Sequence, residues 1–412
     1  MNNSLNKPKL LAPAGNLSKL KVALTYGADA VYVGGPQYGL RQGADNFTFE
    51  ELRVAVEWAH ERGKKVYVAL NAMPHVQEME RLVAFLKELE LCNPDAVIIS
   101  DAGVFSLVKT HTKIPCHIST QASVCNSKTA EMWLKAGAKR IVLARELIMH
   151  EVSEICNTVP IEIETFVHGS MCASYSGKCT ISNYTAGRDA NRGGCVQNCR
   201  YQYHIYDEKS GQKDYDAYIM NARDLMVIKL MPQLIEAGIH TFKIEGRMKS
   251  NLYVAQSVRM YRKALNTCFE EMQTQEDYIW DASPYERELQ KISNRSFGTG
   301  SFEKRAFAAS VNYGQGGYKK GLQYVGVVVT VDSKRGALVD VRFPFSCGDT
   351  LQLLCLDAST DTFVCDSLLN VNGDFLLKTK ANSLVYIPCL TNVKTDMVLV
   401  TSSEPLIKQK AS

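Results

Sequence analysis

The chain has 412 residues, 46% hydrophobic and 22% charged, with 27 Gly and 12 Pro, a composition that excludes disorder, collagen-like repeats and low-complexity scaffolding. Its 47 basic and 43 acidic side chains leave a formal charge of +4, too small to name a polyanionic partner but compatible with one wherever the positive charge is concentrated. The length suits two or three domains, or one large barrel with an appendage.

Met1–Gly15 lacks both a basic n-region and a long apolar stretch, and no apolar run approaches the roughly 18 residues of a membrane span. The expectation is a cytoplasmic protein that engages no membrane. Thirteen cysteines in that compartment argue against a disulfide framework. Nine stand singly (Cys92, Cys116, Cys125, Cys156, Cys268, Cys347, Cys355, Cys365, Cys389), mostly beside Ile, Val or Leu, as small buried hydrophobes do.

Taken in chain order, β-rich runs occur at Lys9–Ala12, Ala30–Val33, Val66–Leu70, Ala96–Ser100, Pro115–Ser119, Arg140–Ala144, Ile161–Val167 and Thr241–Glu245. Amphipathic helical stretches alternate with them. Phe49–Arg62 is entered through the capping box Thr48-x-x-Glu51 and stopped by Gly63; Asn126–Ala136 ends at Gly137 and Met226–Ala237 at Gly238. Most of these strands are near-continuous Val/Ile/Leu/Ala runs, the pattern of strands buried on both faces. Eight strands with following helices over residues 1–270 predict a (β/α)8 TIM-like barrel. A doubly wound sheet is the competitor, and the absence of Gly-x-Gly-x-x-Gly after the first strand counts against it.

One connection breaks the rhythm. After strand seven, Ser170–Met220 shows no helical period, and its first part, 170–204, is rich in cysteine. The eighth helix, Leu252–Cys268, leads into a mixed linking segment, 271–305. Residues 306–412 then read as a small β-barrel domain with strands at Tyr324–Val331, Ala337–Phe343, Thr350–Leu356 and Ser383–Ile387.

The loop opens with His168-Gly-Ser-Met-Cys172 and continues through Cys179, Cys195 and Cys199, spaced Cys-x6-Cys-x15-Cys-x3-Cys. Clustered cytosolic thiols are metal ligands more often than not, for zinc or an iron–sulfur cluster. Structural zinc prefers pairs two to four residues apart, which Cys195/Cys199 meets and Cys172/Cys179 does not; an iron–sulfur cube tolerates the wider spacing. Spacing alone leaves cluster, zinc and uncoordinated redox thiols all open.

Around these cysteines lies Glu164-Thr-Phe-Val-His-Gly-Ser-Met-Cys172, then Gly177-x-Cys179-x-Ile181-Ser182. With Leu10-Leu-Ala-Pro-Ala-Gly15, Tyr26-Gly-Ala-Asp-Ala-Val31, Leu143-Ala-Arg-Glu-Leu147, Met220-Asn-Ala-Arg-Asp-Leu225 and Lys243-Ile-Glu-Gly-Arg247, this signature resembles the collagenase-like unassigned peptidases of family 32. Within that family the chain is most similar to the tRNA hydroxylation group. The resemblance implies oxygen-independent, prephenate-dependent 5-hydroxylation of the wobble uridine of tRNA. Related members hydroxylate an rRNA cytidine or a quinone ring. It also implies a 4Fe–4S cluster on Cys172, Cys179, Cys195 and Cys199, with the tRNA anticodon loop, prephenate and a paralogous protein as partners. Two departures stand out. Only about twenty residues separate Cys199 from Met220-Asn221, fewer than in some relatives, and no Cys lies between Cys199 and Cys268, so Cys199 is the natural fourth ligand.

The peptidase name finds little chemistry. His60-Glu61 and His150-Glu151 lack the second His of a zinc peptidase helix, and no Gly-x-Ser-x-Gly elbow is present. A thiolate bound to iron is not free to attack a carbonyl. A hydrolase and a non-catalytic RNA-binding module are nevertheless the competing functions.

Barrel chemistry gathers at the C-terminal strand ends. Those ends carry Arg41, Asn71, Asp101, Gln121, Arg145-Glu146, His168 and Glu245-Gly-Arg247. His168, Arg145, Glu146 and Glu245 are the candidate catalytic groups. Arg41, Asn71, Gln121, Asn221, Arg247, Lys249 and Tyr175 are the candidate substrate contacts, the arginines suiting a dicarboxylate. The bland alternative makes Arg145/Glu146 and Glu245/Arg247 structural ion pairs. For RNA, Lys178, Arg188, Arg192 and Arg200 interleave with Tyr175, Tyr184, Tyr201 and Tyr203. Lys243, Arg247, Lys249, Arg259, Arg262 and Lys263 form a second basic run. Such pairs hold phosphates and stack unpaired bases. Tyr313–Lys320 is a further phosphate candidate, or simply a flexible entry to the last domain.

Overall fold

A computed structural model describes residues 5–401, apart from positions 42, 44, 276, 315, 318, 320, 391 and 392. Gln315, Tyr318 and Lys320 of the Tyr313–Lys320 stretch, and the last eleven residues of the expected C-terminal domain, therefore lie outside the described residues.

The first seven strands are β1 (Lys9–Pro13), β2 (Ala30–Gly34), β3 (Lys65–Leu70), β4 (Ala96–Ile99), β5 (Cys116–Ile118), β6 (Arg140–Val142) and β7 (Glu162–Gly169). The insertion then supplies β8 (Tyr203–Tyr206), β9 (Lys213–Ala217) and β10 (Asp224–Met226), and the eighth barrel strand is β11 (Thr241–Ile244). β1 to β7 pair in parallel in sequence order, and β11 pairs in parallel with both β7 and β1, closing the barrel. Helices α1 (Leu17–Thr25), α2 (Phe49–His60), α3 (Val76–Leu91), α4 (Ala102–His111), α5 (Ser127–Ala136) and α6 (Met149–Thr158) intervene between successive strands. At α2 the capping box forms as the sequence predicts: the Glu51 amide donates to Thr48 Oγ1 (3.2 Å) and the Thr48 amide to Glu51 Oε2 (2.9 Å). No helix of the described residues is long and apolar enough to cross a membrane.

The insertion, whose sequence shows no helical period, nevertheless contains regular elements. It holds α7 (Ile181–Ala186), short 3-10 turns and the β8/β9 hairpin. A six-residue helix is too short to show a period, and the hairpin strands are largely solvent-facing, so neither left an apolar pattern. The expected helix Met226–Ala237 is also divided. Asp224–Met226 forms β10, antiparallel to the end of β7, and the helix proper is α8 (Met231–Glu236), with Pro232 in its first turn. Proline has no amide to donate, so that turn is its natural place.

After β11 comes α9 (Asn251–Thr274), then α10 (Ser283–Gln290) and the short β12 (Phe297–Gly298). The C-terminal region is one antiparallel sheet of β13 (Gln323–Asp332), β14 (Gly336–Val341), β15 (Thr350–Leu354), β16 (Thr360–Val364), β17 (Ser383–Ile387) and β18 (Val398–Thr401), ordered β16-β15-β18-β13-β14-β17. Val325, Val339, Leu351, Ile387 and Leu399 meet in its core. The sequence analysis named neither β16, which is polar and exposed at the edge, nor β18, whose short apolar run Val398–Val400 lies at the centre of the sheet. The two regions meet along α9 and Tyr26: the Tyr26 hydroxyl donates to Leu354 O (2.6 Å) and accepts from the Val398 amide (2.9 Å).

A cysteine-lined candidate active site

The barrel interior is charged. Glu164 on β7, fully buried, accepts from Lys243 Nζ on β11 (2.8 Å) and from Arg140 on β6 (3.0 Å). Burial alone would raise the Glu164 carboxyl, yet Lys243 and Arg140 hold it below its usual range. Tyr32, Tyr67 and His117 complete this layer; His117 is brought down to about 3 by burial and then by Arg140, so it is neutral. A strand alternation of Glu164 and Phe166 pointing inward sets this network, which the sequence analysis did not nominate beyond Lys243.

Two cavities open above it. A recess of about 70 Å³ sits directly on the mouth, and beside it a cavity of about 870 Å³ is walled by the cysteine loop; Arg41 and Glu245 border both. Cys172, Cys195 and Cys199 line the larger one. The loop is held there by backbone contact that admits no side chain. Gly169 has φ +110 and a Cβ on it would lie 2.5 Å from Glu245 O; at Gly177, φ +73, it would lie 1.9 Å from Gln121 O.

Most of the mouth candidates do border the recess: Arg41, Asn71, Gln121, Arg145, Glu245 and Arg247. Lys249 lines the larger cavity, its Nζ 5.2 Å from the centre of the Tyr253 ring. Burial works against the Arg41 charge, but Glu245, Cys172 and Cys195 more than offset it. Arg145 and Glu146 reach different partners. Arg145 donates to Ser170 O (2.9 Å) and stacks over Phe166, whereas Glu146 Oε1 accepts from the Ser176 amide (2.9 Å) and hydroxyl (3.1 Å). Glu146 thus anchors the loop. Glu245 Oε2 accepts from the Ser170 amide (3.3 Å), and Arg247 donates to Asn46 Oδ1, so the alternative of a structural Glu245/Arg247 ion pair is not what holds either.

His168 and Tyr175 stand apart from both cavities. Val167 is an extra residue of β7 opposite the Lys243–Ile244 step, a bulge that turns the His168 ring away from the mouth. It lies among Tyr253, Tyr261 and Phe297, 5.2 to 5.7 Å between ring centres, with neither nitrogen hydrogen-bonded. Burial brings its pKa down to about 3. Tyr175 is exposed but pairs with Cys125 Sγ (3.1 Å) behind the loop; that contact and burial push its hydroxyl up to about 12. Asn221 is buried, its Oδ1 accepting from Arg200 (3.1 Å).

The basic runs are mostly internal. Arg200 also donates to Ala222 O (2.5 Å) and Met171 O, tying both ends of the loop together. Lys243 and Arg247 are buried in the mouth, Arg259 bonds Ser359 O and Thr360, and Arg262 pairs with Asp29. Arg192 pairs with Glu78 (3.0 Å). Lys178, Arg188 and Lys263 remain exposed, as do Tyr184 and Tyr201. Also unforeseen are the buried Arg295–Asp224 pair (2.8 Å), with Arg295 donating to Ser170 Oγ (2.8 Å), and the presence of Gln323 and Tyr324 on the cavity wall. Asp224 lies within the signature run Met220–Leu225, but Arg295, Gln323 and Tyr324 lie beyond every signature string, and nothing in their local sequence marks them.

The four loop thiols are free, and Cys199, raised first by its burial, feels Arg200 and then Cys172, Cys195 and Cys179. Among the described residues no three His, Cys, Asp or Glu side chains stand close enough, as placed, to hold a metal ion. The donor chemistry nonetheless suits a thiophilic centre: four thiols of one loop within electrostatic reach of one another, with Arg41 and Arg200 beside them to balance thiolate charge.

The model of peptidase family U32 matches residues 15–312. The chain belongs to peptidase family U32. Among similar proteins, tRNA hydroxylation protein P1 of Bacillus subtilis is 38% identical over 379 residues, 90% of this chain and 89% of that one. The 23S rRNA 5-hydroxycytidine C2501 synthase of Escherichia coli is 36% identical over 271 residues, 66% of this chain and 41% of its own length. A relative called collagenase, from Porphyromonas gingivalis, is 30% identical over 349 residues, 81% of this chain and 82% of that one.

Proposed function

We propose that this chain hydroxylates tRNA: it acts in the cytoplasm on C5 of the wobble uridine, without molecular oxygen, with prephenate as co-substrate and a 4Fe–4S cluster on Cys172, Cys179, Cys195 and Cys199. The observation that carries this reading is that Cys172, Cys195 and Cys199 share one large cavity with Arg41, Lys249 and Arg188, next to a cationic recess on the barrel mouth. The similarity to tRNA- and rRNA-hydroxylation proteins points the same way.

Replacing C5–H by C5–OH is a two-electron oxidation of the base. With prephenate as the hydroxyl source, its C–OH bond breaks, the hydrogen equivalent lost from C5 ends as a C–H on the spent acid, and prephenate is thereby reduced by two electrons. The cluster, when bound, supplies one-electron redox or Lewis-acid chemistry. The chain's own residues do the rest. Arg188, Lys249 and the exposed tyrosines hold an anticodon loop whose bases are already unpaired, which keeps the unstacking cost low. Tyr253, Met171 and Leu322 give the cavity wall an apolar side against which a base can pack.

A peptidase reading fares worse at the same site. His168, the histidine nearest Cys172 in sequence, is enclosed by aromatic rings and cannot take a proton from it. The reading is tested by preparing the protein anaerobically. Iron and acid-labile sulfide with absorbance near about 400 nm, lost in Cys195→Ser and Cys199→Ser, are expected. Zinc in place of iron, or proteolysis that survives all four Cys→Ser changes, contradicts it.

A further inference from the structure

The recess on the barrel mouth carries more positive charge than the protein itself neutralises. Arg41, Arg145, Lys243 and Arg247 border it, against Glu245 as the one carboxylate on its wall among the described residues. Two of these cations are balanced: Lys243 by Glu164 beneath it and Arg41 by Glu245. Arg145 and Arg247 have no carboxylate within ion-pair distance among the described residues, and both make only neutral contacts, to Ser170 O and to Asn46 Oδ1. Two polar atoms on the same wall are buried without any hydrogen-bond partner, Arg247 Nε and Thr120 Oγ1, on residues only 4% and 6% exposed. A buried guanidinium N–H left unsatisfied is costly unless a ligand completes it. Burial and the neighbouring Arg41 lower Arg247 to about 10, against the pull of Tyr32 and Glu245.

Size narrows the occupant. At about 70 Å³ against about 870 Å³ for the adjoining cavity, the recess suits a small group such as a carboxylate and is too small for a nucleoside. The adjoining cavity of about 870 Å³ is the only one of the two that a nucleotide fits.

We propose that the recess is the carboxylate-binding subsite for the small co-substrate, with Arg247 Nε and Thr120 Oγ1 donating to one carboxylate and Arg145 supplying the second positive charge, while the nucleotide occupies the thiol-lined cavity. This rests on the reading above that a small dicarboxylate and a tRNA are handled together. Thr120 is thereby a substrate-binding residue that no motif marks.

Isothermal titration of the full chain, prepared anaerobically, with prephenate as the probe tests it. Thr120→Val and Arg247→Gln should weaken prephenate binding by about fivefold and at least about tenfold, respectively, as expected for lost hydrogen bonds to a charged group. Binding of an unmodified anticodon stem-loop should stay within about twofold of wild type. If Arg247→Gln fails to fold by circular dichroism, Thr120→Val, which removes one hydroxyl at constant volume, carries the test. Prephenate binding unchanged in Thr120→Val, or stem-loop binding lost in place of prephenate binding, overturns the subsite; the second pattern assigns the recess to an RNA phosphate. Thr120-dependent prephenate binding in a protein whose deletion leaves tRNA 5-hydroxyuridine intact overturns the uridine reading and leaves the subsite standing. Loss of 5-hydroxyuridine on deletion, with prephenate binding indifferent to Thr120 and Arg247, does the reverse.

Discussion

His168 and His117 are both buried and neutral, each with a pKa near 3 where an unfolded histidine has about 6.5. Between those values the unfolded chain takes up protons that the folded chain refuses. Their contribution is therefore intact above about pH 6.5 and is lost as pH falls, at about 1.4 kcal/mol per pH unit for each ring. His168→Phe keeps a ring among Tyr253, Tyr261 and Phe297 and removes one of the two protons. Urea denaturation between roughly pH 4.5 and 6.5 should show the slope of stability against pH reduced by one proton's worth; an unchanged slope contradicts the burial argument. Arg295 depends on its carboxylate partner Asp224. Asp224→Asn leaves a buried guanidinium without its carboxylate, and thermal or denaturant unfolding should report a loss of about 3–5 kcal/mol.

The cysteine loop is the element on which the site turns, and it is pinned by backbone contact, by Glu146 to Ser176 and by the Arg200 clamp. Gly177→Ala places a methyl against Gln121 O at a φ that favours glycine, so it should release the loop while the barrel stays folded. Limited proteolysis within 170–204 is expected to accelerate severalfold with little change in circular dichroism; equal digestion rates contradict that docking. Most barrel strands were legible as near-continuous apolar runs, and α2 and α5 because Thr48, Glu51 and Gly137 punctuate them. The hairpin β8/β9 and the edge strand β16 were not, since solvent-facing strands carry no apolar signal. At the site, the thiols and mouth arginines stood out by residue type and position. The orientation of His168 did not, because a single bulged residue at Val167 reverses which way the ring points. Nor did the fate of the basic run Lys243–Lys263, because charge counts along a sequence do not tell Lys243, paired with Glu164 inside the barrel, from Lys263 in solvent.

At the scale of the whole molecule, α9 and Tyr26 join the barrel to the C-terminal sheet, and that sheet brings Gln323 and Tyr324 to the wall of the thiol-lined cavity. The family match ends at residue 312, yet the site includes residues beyond it. Tyr26→Phe leaves Leu354 O and the Val398 amide without their buried partner, and should cost about 1–3 kcal/mol in thermal unfolding if the two regions melt as one; no change would mean that the seam does not contribute to stability. Charge, cavity and thiols then converge on one account, in which the barrel mouth receives a small acid and the cysteine loop receives a nucleotide. The most direct test is mass spectrometry of tRNA nucleosides from a strain lacking this gene and any paralogue, complemented either with the wild-type chain or with Cys172, Cys179, Cys195 and Cys199 each changed to Ser. The account predicts 5-hydroxyuridine derivatives restored by the wild-type chain and by none of the four variants. Restoration by the Ser variants, or failure of the wild-type chain to restore them, would contradict it.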